Sequence, residues 1–93
     1  MLTDEIKQAA QEACDRADWL EIELEMIDHE LDALLPAIAK FHNKLRVTQS
    51  EIFQRAFITS TNRRNLLLAG KRQTKEDIRH YRLIAKLLEE ECV

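Results

Sequence analysis

From Ile6 to Leu45 an apolar residue recurs at alternating steps of four and three: Ile6, Ala10, Ala13, Ala17, Leu20, Leu24, Ile27, Leu31, Leu34, Ile38, Phe41 and Leu45. Residues spaced this way fall on one stripe of an α-helix, because seven residues make close to two turns. A stripe of that length has to be covered by other helices. Leu20 to Met26 also alternates apolar and acidic residues, as a half-buried strand would. Leu, Glu and Met are strong helix formers, however, and the helical spacing continues on both sides.

Thr3 is placed to cap this first helix, with Asp4 and Glu5 at the positive end of the helix dipole. Pro36 is the one interruption, and in the heptad frame it lies diametrically away from the seam. A proline there predicts a kink, or a split into two segments near Leu35. The helix is expected over residues 4–45, with 35–36 as the place where it bends or breaks.

A second helix is signalled by Val47-Thr48-Gln49-Ser50-Glu51-Ile52. Thr48 can accept from the Glu51 N–H while the Glu51 carboxylate reaches back, and Val47 can pack against Ile52. This helix is expected over 49–69, broken or weakened at 59–62, where Thr and Ser side chains compete for backbone hydrogen bonds, and ended by Gly70. Thr74 can then cap a third helix over 75–91, with Ile78, Tyr81, Ala85, Leu88 and Cys92 as its seam. With one Gly and one Pro in 93 residues, the composition is that of a helical protein with few turns. The expectation is an all-α fold in one domain: a long kinked N-terminal helix with two shorter helices folded back as a three- or four-helix antiparallel bundle.

Charge supports folding back. Residues 1–39 hold two basic residues against eleven acidic ones, a net charge of −9, whereas residues 40–88 hold twelve against three, a net charge of +9. Such asymmetry points to internal pairing or to a charged partner. A parallel dimer of the first helix would set Glu23 against Asp28 of the other chain and repel itself.

Trp19, Ile22 and Met26 form a second apolar stripe opposite the seam. Either the first helix is core on two faces, or this stripe is a surface for a protein partner or a second copy, bordered by Glu23 and Glu30. Catalytic motifs fail. His29-Glu30 opens a zinc-protease HExxH, but its second histidine position is Ala33. No Gly-rich loop, activated nucleophile or carboxylate pair is evident, so no enzymatic activity, cofactor, metal or small-molecule substrate is expected. The two cysteines, Cys14 and Cys92, do not make a disulfide framework. With no signal peptide or membrane-spanning run expected, the cytoplasm is the anticipated compartment.

Three stretches resemble known families. Asp28-His29-Glu30-Leu31 resembles the phosphorylated box of sensor kinases, flanked here by Asp28 and Asp32 and without a nucleotide-binding segment. Ile27 to Leu31 followed by Leu34-Leu35 resembles the first helix of the helical chorismate mutases, whose substrate-binding arginines have no counterpart at Glu21 or Ile38. The most extensive resemblance covers Val47 to Leu88. Thr48-Gln49-Ser50-Glu51-Ile52, Ile58-Thr59, Gly70-Lys71-Arg72-Gln73 and Arg82-Leu83-Ile84-Ala85-Lys86 are similar in order and spacing to helix-turn-helix regulators of the phage-repressor type. That resemblance implies DNA contact through Gln49, Arg63 and Arg64, with Lys75, Arg79, Arg82 and Lys86 on phosphates. The chain departs from the pattern at Phe53 and Phe57, where the family has a small residue and a turn glycine. The leading expectation is a small, non-enzymatic helical interaction module working through the acidic and apolar face of its first helix; the alternative is a DNA-binding regulator using residues 48–88.

Overall fold

The computed structural model describes residues 2–91, and Cys92 lies outside them. Among the described residues there are two helices, α1 (Leu2–Val47) and α2 (Glu51–Glu90), and no strand. The chain is all-helical, as the spacing and composition predict. The expected three- or four-helix bundle is corrected to a pair of antiparallel helices joined by residues 48–50.

α1 runs extended and unbroken through Pro36, so neither the expected kink nor the expected break at 35–36 occurs. The proline side chain faces solvent, where the carbonyl that loses its hydrogen bond can be met by water. The predicted seam is the buried edge of this helix. Every one of its twelve residues is buried or half-buried, with Ala10, Ala13, Ala17, Leu20, Leu31 and Ile38 the most enclosed.

The larger correction concerns α2. The expected breaks at 59–62 and after Gly70 are absent, and the segments read as 49–69 and 75–91 are one helix. Its enclosed edge follows the same heptad without a skipped step: Phe53, Phe57, Ser60, Arg64, Leu67, Lys71, Thr74, Ile78, Tyr81, Ala85 and Leu88 are all buried or half-buried. Four of these are polar or charged, and they conceal the periodicity. Ser60 resolves its competition with the backbone by donating from Oγ to the Ala56 carbonyl at 2.6 Å, which keeps it within the helix. Gly70 does not adopt positive φ and caps nothing. Thr74, expected to start a helix, is only 9% exposed within one.

The turn also differs in detail. The Thr48 N–H donates to the Lys44 carbonyl at 2.9 Å and so extends α1, while the Ser50 carbonyl accepts from the Gln54 N–H at 3.1 Å and starts α2. Ser50, not Thr48, is therefore the capping residue. Glu51 pairs forward with Arg55 at 2.8 Å rather than reaching back. Val47 and Ile52 are 84% and 77% exposed, so the expected apolar clasp between them is not made.

The chain divides into two compact units. The first comprises Met1–Glu25 with Arg72–Val93 and is closed by small residues: Ala10, Ala13, Ala17 and Ala85 are buried there beside Leu20. Arg82 Nη2 lies 3.0 Å from both Asp18 Oδ1 and Glu21 Oε1 and ties α2 to α1 within this unit. The second unit, Met26–Lys71, contains the turn and the larger apolar groups. The His42 and Phe57 rings meet tilted by 40°, with centroids 5.7 Å apart, and Lys44 Nζ sits 5.1 Å from the Phe53 ring centre. Two ion pairs join its helices, Arg63 with Glu30 and Lys71 Nζ with Asp28 Oδ1, at 2.8 and 2.6 Å. All these pairs are partly exposed; they set which turns of the helices come level, while apolar burial supplies most of the stability.

Candidate interaction surface

Two helices have only one mutual seam, so large apolar side chains off that seam stay in solvent. In the first unit these are Trp19 and Ile22 on α1, 62% and 50% exposed, and Leu83, Ile84 and Leu87 on α2, each between 43% and 54% exposed. Helical spacing says which edge they occupy. In the heptad, Asp18 and Glu21 lie on the side of α1 that faces Arg82, and Trp19 lies toward the opposite side; Ile84 and Leu87 lie on the opposite side of α2 from Arg82. Arg82 with its two carboxylates marks one flank of the unit, Trp19, Ile84 and Leu87 lie toward the other, and Ile22 and Leu83 point directly away from the seam.

The charges around the apolar residues differ between the helices. Asp15, Asp18, Glu23 and Glu25 surround Trp19 and Ile22 at helical neighbour positions, with Arg16 the only cation. Leu83 lies between Arg79 and Lys86, one turn before and one turn after it, both exposed. The guanidinium of Arg82 has its pKa raised, first by its hydrogen bond to Glu21 and then by that to Asp18.

The other anticipated residues are placed as follows. Met26 is exposed in the second unit. Glu23 is exposed, whereas the Glu30 carboxylate is held by Arg63. Among the residues expected on DNA, Gln49 is exposed in the turn, Lys75, Arg79 and Lys86 are exposed on α2, and Arg63 and Arg82 are engaged by carboxylates. Arg64 is half-buried on the seam line and reaches Asn65 Oδ1 at 3.3 Å. The segment that resembled a helix-turn-helix contains no turn after residue 50. Leu83, Ile84 and Leu87 were not anticipated as surface residues; their signal is that they fall between the seam positions Tyr81, Ala85 and Leu88.

In the second unit an open groove beside the turn is lined by Pro36, Ala39, Lys40, Lys44, Val47 and Phe53 among others. Its charged groups are the ammonium ions of Lys40 and Lys44, beside the polar side chains of Asn43 and Thr48. Among the described residues no group of three or more His, Cys, Asp or Glu is placed to hold a metal ion, and no helix is long and apolar enough to cross a membrane. Comparison with protein-family models, with curated proteins and with solved structures gives no match.

Proposed function

We propose that this protein is a small non-enzymatic helical interaction module, and that the acidic and apolar face of α1 around Trp19 and Ile22 docks a protein partner. The observation that carries this reading is the exposure of a Trp and an Ile one turn apart, ringed by carboxylates. Trp is enriched at the buried centres of protein interfaces and is costly to leave in water. A carboxylate rim favours a basic partner and speeds its approach.

Replacement of Trp19 and Ile22 by Glu tests the reading. The expected result is unchanged helical circular dichroism and an unchanged melting temperature, with loss of association. Loss of helicity in the double variant would mean that these side chains are core, and the reading would fall.

A further inference from the structure

We propose that the open groove beside the turn binds a free anionic amphiphile, a long-chain carboxylate whose head is held by Lys40 and Lys44 and whose chain lies against Phe53 and Val47. The site is separate from the Trp19 and Ile22 face and lies wholly within the second unit. Its volume is about 760 Å³, inside the roughly 300–1,000 Å³ of small-molecule sites. On α1 its wall is Pro36, Lys40, Asn43 and Val47, spaced four, three and four and so aligned on one helix face. Ala39 and Pro36 are short, which leaves the hollow open, and the Phe53 ring lines it from α2.

Charge selects the occupant. Lys40 and Lys44 stand one helical turn apart, both exposed, and neither makes an ion pair among the described residues. Lys44 Nζ lies instead over the Phe53 ring, 5.1 Å from its centre, where the apolar lining meets the rim. Residues 36–55 hold Lys40, Lys44, Arg46 and Arg55 against Glu51, a net charge of +3 in a chain of −3 overall. Glu51 is already taken by Arg55. An anion is therefore drawn to the groove and finds two ammonium donors there, beside apolar surface that strengthens the attraction by excluding water. The apolar lining selects the rest of the ligand. Val47 is 84% exposed and Phe53 half-buried, and an alkyl chain laid across them removes both from water. The turn itself is the polar run Thr48-Gln49-Ser50, which favours a free ligand over insertion of this end into a membrane.

The test titrates laurate, below its micellar concentration, into the full chain and follows calorimetric heat together with backbone amide shifts by NMR. The proposal expects a single site per chain, with shifts centred on residues 36–48 and 53. Affinity should fall with added salt, and uncharged dodecanol should bind more weakly by about tenfold or more. K40Q/K44Q should weaken laurate by about tenfold or more while leaving helical circular dichroism unchanged. V47D, which sets a carboxylate at an exposed position of the groove, should weaken it likewise. Equal affinity for laurate and dodecanol overturns the assigned anion site, as does wild-type affinity in both variants. Shifts centred away from the groove, or many laurates bound per chain, overturn the groove as the place of binding. No binding of laurate overturns the proposal, and if vesicles containing phosphatidylserine then capture the protein, the lysines face a membrane surface instead. Trp19 and Ile22 take no part in these measurements, so the docking face stands or falls by its own variants.

Discussion

The guanidinium of Arg63 holds both carboxylate oxygens of Glu30: Nη2 lies 2.8 Å from Oε2 and 3.1 Å from Oε1, and Nε lies 3.1 Å from Oε2. It joins two residues that the sequence places in different roles, Glu30 on a partner surface and Arg63 on DNA. Both side chains are about half exposed, so the pair orients α2 against α1 more than it stabilises the contact. A double-mutant cycle of E30A and R63A should give a coupling of about 0.2–1 kcal/mol that shrinks with added salt. A coupling that persists undiminished in molar salt would show that the pair is far more enclosed than its exposure indicates.

Arg82 permits a prediction of sign for pH. Its pKa is raised, so its contribution is complete below the unfolded-state value and is lost only as pH climbs through the folded value, deep in alkali. The difference in melting temperature between wild type and Arg82→Gln should therefore stay constant from neutral to mildly alkaline pH and diminish with salt. A difference that collapsed within that range would assign the effect to some other group.

Gly70 is helical, and a Cβ built on it meets nothing within 4 Å. Gly70→Ala should stabilise the protein by about 1 kcal/mol, because Gly is the costlier residue inside a helix. Thermal unfolding would register a rise of about 4–8 °C for a chain of this size. A fall instead would point to the helix-ending glycine that the sequence suggests.

Thr61 presents the reverse case of a polar atom without a partner. Its Oγ1 is buried and makes no hydrogen bond among the described residues. Thr61→Val keeps the shape and removes the unpaired hydroxyl, with an expected gain of about 1 kcal/mol in chemical denaturation. A loss of similar size would show that a bound water meets the hydroxyl.

Ala17 is 0% exposed on the α1 seam. Ala17→Leu asks the first unit to admit three more carbons between helices that approach closely, and should cost about 1–3 kcal/mol by denaturant titration. An increase in stability would mean that the helices of this unit can separate without penalty.

How much of this was readable from residues alone differs sharply between the helices. α1 was legible because every seam position is apolar, so helical spacing and burial carry the same signal. In α2, Ser60, Arg64, Lys71 and Thr74 take seam positions, and a search for apolar periodicity finds two short helices where one long one runs. Lys71 and Arg64 are tolerated there because their long stems lie along the seam while the charged ends reach outward, Lys71 to Asp28. The Thr-Ser run and Gly70 then looked like punctuation, although neither is strong enough to end a helix whose flanks are packed. Trp19 and Ile22 were recognisable because they form a stripe of their own off the seam. Leu83, Ile84 and Leu87 lie among seam residues, and only burial separates the two sets.

The turn at residues 48–50 has a kinetic consequence. Phe53 and Lys44 meet across a loop of a few residues, whereas Arg82 and Asp18 are 64 positions apart in sequence. Each successive rung, once its predecessor has formed, closes only a small additional loop, so the entropy of pairing distant residues is spread over many cheap steps. A chain wired this way zips from its bend outward and is expected among the fast folders, with the contacts farthest from the turn the last to form and the first to open.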